Sequence, residues 1–152
     1  MIVVSGCLMG HDCKYNGGNN LNKDVVEFVE GRSYVAVCPE SAGGLKSPRP
    51  PAEQIVMDGG IKVMDKEGKD LTFEFDAGAS RCLVDALEYA FRHGEVIDAA
   101  ILKANSPSCG VGAVYDGTFS GTLTEGDGVF ARKLMDMGIG VFTENNFKEN
   151  IK

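Results

Sequence analysis

The sequence predicts an α/β protein in which a mainly parallel sheet lies between two layers of helices. Two observations favour this class. Apolar runs of strand length, such as 2–4 and 96–102, recur along the chain, and the first shows no polar alternation, which is typical of parallel strands covered on both faces. Segments of helical periodicity separate these runs, as in right-handed βαβ units. We therefore expect a three-layer fold of the flavodoxin or Rossmann kind.

The N-terminal part of the chain is predicted to form one βαβ unit. Residues 1–6 give the first strand and lead into a long loop rich in glycine and asparagine. Asn22 is predicted to cap a helix over 23–30, because an asparagine oxygen can accept from the first free backbone N–H groups. Gly31 then ends this helix, and 34–37 forms the second strand.

A proline-rich segment follows the second strand. Four of the five prolines lie between positions 39 and 51, so 39–53 is predicted to form neither helix nor central strand. Because the segment begins just past a strand end, we interpret it as a fixed wall over that edge of the sheet rather than as a linker. Residues 54–57 and 61–64 flank a glycine-rich turn and are predicted to form a hairpin.

The C-terminal half of the chain supplies the remaining helices and strands. Its longest helix shows apolar residues at helical spacing and is followed by a glycine suited to end it. Phe147 is predicted to anchor the polar tail. The predicted elements are a helix over 75–93, a third strand over 96–102, a loop or short hairpin over 114–123, a helix over 129–137 and a fourth strand over 139–142.

Length and charge limit the classes of function. A chain of 152 residues predicts one domain, residues 1–152. The net charge is −7 and no run of lysine or arginine is present, so nucleic acid is not an expected partner of this chain alone. The sequence lacks the pattern of a signal peptide and any apolar run of membrane-spanning length. We therefore expect a cytoplasmic protein that does not associate with a membrane.

The cysteines are the strongest indication of a functional site. Of five cysteines, three follow predicted strand ends: Cys7, Cys38 and Cys109. If these strands are parallel neighbours, the thiols meet at the edge of the sheet where α/β proteins bind ligands. For Cys13 three roles remain open: a fourth ligand, a thiol beside the site or a structural residue. Cys82 is predicted to lie in the core. In a reducing compartment such clusters bind metal or catalyse reactions more often than they form disulfides.

Three thiolates allow more than one kind of centre. Zinc is possible, but structural zinc usually takes four ligands, and no histidine follows at zinc-finger spacing. Soft thiolate ligands also select iron–sulfur clusters. Three cysteines on a four-iron cluster would leave one iron open to a substrate atom, preferably sulfur. A thiol–disulfide protein is disfavoured because the chain contains no Cys-x-x-Cys.

Candidate proton-transfer groups lie close to these cysteines in sequence. Glu40 is two residues from Cys38, and nearby thiolates would raise its pKa, which suits a general acid or base. The alternative is an acidic residue that only marks the start of a loop or helix. Ser106 and Ser108 precede Cys109, and they either donate to cluster sulfur, position water or satisfy a turn.

Two further motifs remain open at this point. Arg49 and Glu53 lie among prolines and form either an ion pair that fixes the loop or a substrate contact. Gly126-Asp-Gly128 precedes a helix, where it could bind an anion, although a turn is the simpler interpretation.

Three motifs together resemble those of the thiouracil desulfidase family of small bacterial proteins. The similarity continues to the last strand through Gly126-x-Gly-Val. The motifs are Cys7-Leu-Met-Gly-x-x-Cys13-x-Tyr-x-Gly-Gly, Cys38-Pro-Glu-x-x-Gly-Gly-Leu-x-x-Pro-Arg-x-Pro-x-Glu53 and Leu102-Lys-x-x-Ser106-Pro-Ser-Cys-Gly110.

The resemblance implies a [4Fe-4S] cluster held by three cysteines, which map to Cys7, Cys38 and Cys109. Cys13 belongs to the motif but not to this ligand set. Glu40 would be the catalytic acid or base, and Ser106, rather than its neighbour two residues on, the catalytic serine.

The reaction implied by the resemblance is non-redox. The open iron captures the sulfur of a thiolated pyrimidine such as 2-thiouracil, water replaces it at carbon, and hydrosulfide leaves. Two alternatives remain, namely desulfuration of thiolated uridine in transfer RNA and a non-catalytic carrier of sulfur or metal.

Overall fold

A four-stranded parallel sheet organises the structure, a computed structural model that describes residues 1–152. The sheet strands are β1 (Ile2–Ser5), β2 (Tyr34–Val37), β5 (Ala99–Leu102) and β8 (Gly140–Thr143), in the order β2-β1-β5-β8. The other strands form two antiparallel hairpins, β3 (Ala52–Met57) with β4 (Gly60–Asp65) and β6 (Ala113–Tyr115) with β7 (Leu123–Glu125).

Helices cover both faces of the sheet. They are α1 (Lys23–Val29), α2 (Pro39–Ala42), α3 (Thr72–Arg92), α4 (Val129–Asp136) and α5 (Phe147–Asn150). Successive side chains of β1 point to opposite faces, so that Val3 packs with α3 and α4, whereas Ile2 and Val4 pack with α1 and α5. The three-layer parallel α/β fold is therefore confirmed. Among the helices there is none that combines the length and the apolar character of a membrane span.

Local signals fix several of these elements as predicted. The Asn22 side chain accepts from Val25 N at 3.1 Å and so starts α1. Gly31, at φ 79°, takes the left-handed conformation that ends this helix. The tail is held by α5, in which Phe147 is only 1% exposed. Both predicted hairpins are present.

Several predicted boundaries differ from those of the structure. The longest helix begins at Thr72 rather than at position 75, and the fourth strand lies one residue later than predicted. The third strand begins at Ala99 rather than at position 96, because its neighbour β1 begins at Ile2 and no partner strand extends further. The side chain of Val96 is accordingly 72% exposed. The first strand ends at Ser5, and the chain then forms a 3₁₀ turn, Gly6–Met9.

The proline-rich segment contains a helix that the sequence did not predict. Pro39 is the first residue of α2, where its missing N–H costs no hydrogen bond because that N–H would be unpaired in any helix. The prediction of no helix over 39–53 is therefore wrong at its start. Beyond Gly43 the segment is irregular as far as β3, and it lies beside the edge of the sheet described next.

Candidate active site

The site lies at the point where the strand order of the sheet reverses. From β1 the chain moves to one side, to β2, and from β5 it moves to the other, to β8. Ligands of open α/β sheets bind outside the carboxyl ends of strands at such a point. A cavity of about 510 Å³ opens there, and the structure brings Cys7, Cys38 and Cys109 together in its lining, with Glu40 and Ser106.

The turn after β5 holds Cys109 in a compact, strained backbone. Asn105 adopts φ 70°, a left-handed conformation that asparagine tolerates better than most residues. The hydroxyl oxygen of Ser106 accepts from Cys109 N at 2.9 Å and closes the turn. A Cβ atom at Gly128 would lie 2.4 Å from Cys109 N. Gly128 therefore serves the close packing of α4 against this turn, and anion binding is not needed to explain it.

A second close contact positions Cys38 and Glu40. Cys38 precedes the first residue of α2, and Glu40 lies in the first turn of this helix. A Cβ atom at Gly78 of α3 would lie 1.8 Å from the carbonyl oxygen of Pro39, and one at Gly43 would lie 2.1 Å from a backbone oxygen of α3. The short helix can therefore pack against the long one only because both positions lack a side chain.

Each of the three thiols has a polar side chain directed at its sulfur. Asn20 and Ser41 donate to their sulfurs, whereas the single proton of Ser108 goes to Glu40, which is the shorter of its two contacts. Donors of this kind stabilise thiolates and are typical of the residues around metal and cluster ligands. The sequence analysis did not single out Asn20 or Ser41, for which loop composition was the only signal. The distances to sulfur are 3.5 Å from Asn20 Nδ2 to Cys7 Sγ, 3.3 Å from Ser41 Oγ to Cys38 Sγ and 3.6 Å from Ser108 Oγ to Cys109 Sγ.

The thiols differ in how readily they ionise. A hydrogen bond from the Cys13 thiol, with a further one from Ser41, lowers the pKa of Cys38 to about 6. Burial raises the pKa of Cys7, and it raises that of Cys109 to about 12. Cys38 is thus the most readily ionised of the three thiols, and a bound cation would favour ionisation of the other two.

The remaining two cysteines have different surroundings. Cys13 lines the cavity, and its pKa is raised, first because it donates to Cys38. Cys82 lies on α3, is 4% exposed and belongs to the core, as predicted. Its pKa is raised to about 12 by burial. All five cysteines are free thiols in the structure.

Glu40 is held at both carboxylate oxygens. Its Oε1 lies 3.0 Å from Nη2 of Arg49, and its Oε2 accepts from Ser108 Oγ at 2.8 Å. Arg49 also donates to the carbonyl oxygen of Cys13 at 2.9 Å and is nearly buried. The alternative of an ion pair between Arg49 and Glu53 is wrong, because Glu53 accepts instead from the backbone of a different loop.

The two serines of the motif have different surroundings. Ser108 is buried and donates its proton to Glu40. Ser106 is partly exposed in the cavity, and its Oγ lies 3.4 Å from that of Ser108. Because its oxygen already accepts from Cys109 N, the hydroxyl proton of Ser106 is free to be donated to Ser108 or to a bound molecule.

The three thiols line one cavity without forming a binding site for a single metal ion. No three histidine, cysteine or acidic side chains lie close enough together to hold one metal ion. In tetrahedral zinc sites the Zn–S bonds of about 2.3 Å place sulfurs about 3.8 Å apart. In a four-iron cluster each thiolate binds a different iron, so the ligands surround a larger body. Three thiols around one cavity offer the soft ligands that such a cluster takes.

Comparisons with known proteins extend over nearly the whole chain. A family model described as 2-thiouracil desulfurase matches residues 2–146. The uncharacterized protein YbbK of Bacillus subtilis (strain 168) is 39% identical over 155 residues, which cover 98% of this chain and 99% of that protein. A solved structure described as [4Fe-4S]-dependent thiouracil desulfidase TudS is 40% identical, with a TM-score of 0.80, over 97% of this chain and 93% of that one.

Proposed function

The chain belongs to the 2-thiouracil desulfurase family, and on that premise we propose that it desulfurates a thiolated pyrimidine such as 2-thiouracil with the help of a [4Fe-4S] cluster. In this proposal Cys7, Cys38 and Cys109 hold the cluster. The observation that carries the proposal is the grouping of these thiols with Glu40 around one cavity. The dependence of the similar solved protein on a [4Fe-4S] cluster supports it.

The reaction exchanges sulfur for oxygen without change of oxidation state. One water and one thiocarbonyl group give one carbonyl group and one hydrogen sulfide, so no electron donor is required. With three protein ligands, the bound cluster would supply an open iron, a Lewis acid with affinity for sulfur. The protein must then supply a group that takes a proton from the attacking water.

Glu40 is the residue that we assign to this proton transfer. A carboxylate has about four lone pairs, so its bonds to Arg49 and Ser108 leave acceptor positions for a water molecule. The two bonds fix the carboxylate within the cavity, which favours catalysis because the base must meet the water in one geometry. We assign to Ser106 the orientation of the water or the substrate through its free hydroxyl proton.

Anaerobic reconstitution with iron and sulfide tests this proposal. We expect about four irons per chain. The variants Cys7→Ser, Cys38→Ser and Cys109→Ser should each lose the cluster, whereas Cys82→Ser, which changes a core thiol, should keep it. The loaded protein should convert 2-thiouracil to uracil and release hydrosulfide. A single tightly bound zinc in place of the cluster would overturn the mechanism, and sulfide transfer without uracil formation would indicate a carrier.

A further inference from the structure

Glu53 is a buried carboxylate with no part in the chemistry proposed above. It lies on β3 and is only 8% exposed. One of its oxygens, Oε1, accepts two backbone hydrogen bonds, from Gly117 N at 2.9 Å and from Phe119 N at 3.1 Å. Both donors belong to the loop that joins β6 to β7. These two bonds from a buried carboxylate hold the backbone of the loop in one position.

The backbone of this loop is strained at Phe119. Its φ is 55°, in the left-handed region that bulky side chains rarely adopt. The loop also approaches β3 closely, since a Cβ atom at Gly117 would lie 2.8 Å from the carbonyl oxygen of Gln54. Charge-assisted bonds to Glu53 offset the strain. Strained residues of this kind cluster at ligand clamps and active sites.

The strained residue faces the same cavity as the three thiols. Phe119 is part of the cavity lining, as are Tyr15 and Tyr115. Gln54, next to Glu53 on β3, donates at 2.9 Å to the carbonyl oxygens of Pro107 and Asp127. Strand β3 therefore ties the loop that carries Phe119 to the turn that carries Ser106, and it fixes the distance between ring and reactive groups.

We propose that the ring of Phe119 packs against the planar ring of the substrate and makes the site selective for heteroaromatic thiocarbonyl compounds, and that Glu53 is the residue that positions it. The inference rests on the proposed function. Aromatic side chains bind bases by stacking on the face that every base presents. An acyclic thiocarbonyl compound such as thiourea offers little surface for such a contact.

The test uses cluster-loaded protein with three variants. Phe119→Asn removes the ring but suits the left-handed backbone, because asparagine adopts it readily. Phe119→Tyr keeps a ring of the same kind. Phe91→Ala is the matched control, since this ring is 84% exposed on α3 and does not line the cavity. For each, kcat and KM are measured with 2-thiouracil and with thiourea, and Kd with uracil, which lacks sulfur and does not react.

We expect Phe119→Asn to raise KM for 2-thiouracil and Kd for uracil about ten-fold, with little change in kcat or in KM for thiourea. Phe119→Tyr and Phe91→Ala should stay close to the unchanged protein. Thermal unfolding monitors folding, and Phe119→Gly, which is free of backbone strain, serves as a second variant without a ring. It should be at least as stable as the unchanged protein and bind uracil as weakly as Phe119→Asn.

Glu53→Gln tests the positioning role. It should raise KM for 2-thiouracil by less than Phe119→Asn does. Because Glu53 acts through the ring, the double variant should have the same KM as Phe119→Asn alone. A merely structural role would instead lower kcat with thiourea as well.

The possible failures are distinguishable. If the unchanged protein desulfurates 2-thiouracil but Phe119→Asn and Phe119→Gly leave KM and the Kd of uracil unaltered, the inference is overturned and the proposed function stands. The other failure is that the unchanged protein binds uracil but does not react with 2-thiouracil. If Phe119→Asn and Phe119→Gly then lose uracil binding, the proposed function is overturned and the ring contact is supported.

Discussion

Ser108 and Glu40 are joined by a hydrogen bond of 2.8 Å across 68 positions of sequence. The bond connects the turn that carries Cys109 with the helix start that carries Cys38. Because Ser108 also lies 3.6 Å from Cys109 Sγ, the proposed base and one proposed cluster ligand share a single hydroxyl group. Loss of the Ser108 hydroxyl should therefore affect both groups, whereas a change of the Glu40 carboxylate leaves the contact between Ser108 and Cys109 in place.

Replacement of Glu40 by glutamine should separate catalysis from cluster binding. Glu40→Gln keeps the size of the side chain but removes the base, and we expect kcat to fall about 10² to 10⁴-fold. Iron content should be unchanged, because this side chain is not a proposed ligand. Glu149→Gln, at an exposed position of α5, is the control. Full turnover in Glu40→Gln would remove Glu40 from the mechanism.

The two serines should respond differently to alanine. Ser108→Ala leaves an oxygen of Glu40, which is largely buried, without its partner, so we expect a loss of about 1–3 kcal/mol in the free energy of unfolding. Ser106→Ala should lower kcat more, because Ser106 offers its proton to the cavity, and it should also lower stability, because Cys109 N would lose its acceptor. Chemical denaturation and steady-state kinetics measure the two effects. If Ser108→Ala lost turnover at unchanged stability, the catalytic role would pass to Ser108.

Alanine at Gly78 should disturb the site from outside the cavity. The added Cβ would lie 1.8 Å from the carbonyl oxygen of Pro39, so α2 must move away from α3. We expect destabilisation of about 3 kcal/mol, typical of overpacking, and weaker retention of iron through displacement of Cys38. Ser80→Ala, two positions along α3, is the control. Unchanged stability and iron content in Gly78→Ala would show that the helix pair can adjust.

The sequence predicted the grouping of the three thiols better than it predicted the loops around them. The thiols of Cys7, Cys38 and Cys109 meet because carboxyl ends of parallel strands share one edge, a rule that needs no side-chain detail. The motif resemblance to the desulfidase family is confirmed by the family match. The partner of Arg49 was not predictable, because the path of an irregular proline-rich loop depends on what it packs against. The same holds for the loop that presents Phe119.

The reactivity of Cys38 provides a prediction about pH. Its pKa is held at about 6, first by the hydrogen bond from Cys13, and alkylating agents react with the thiolate. In cluster-free protein, modification of Cys38 by iodoacetamide should therefore be half-maximal near pH 6, whereas Cys109, with a pKa of about 12, should stay unmodified at pH 7. Mass spectrometry of digested protein across a pH series measures both.

Cys13→Ala removes the first of the donors that lower this pKa, so the midpoint for Cys38 should rise toward the ordinary value of 9.0. The sign for stability follows from the same shift. The pKa of Cys38 is lower in the folded protein than the value of 9.0 for an unfolded chain, so its ionisation stabilises the fold fully above pH 9. This stabilisation decreases as the pH falls and is lost below about pH 6. The free energy of unfolding of cluster-free protein should therefore rise between pH 6 and 9, and Cys13→Ala should flatten the rise. A midpoint for Cys38 at pH 8 or above in the unchanged protein would contradict a thiolate held by Cys13.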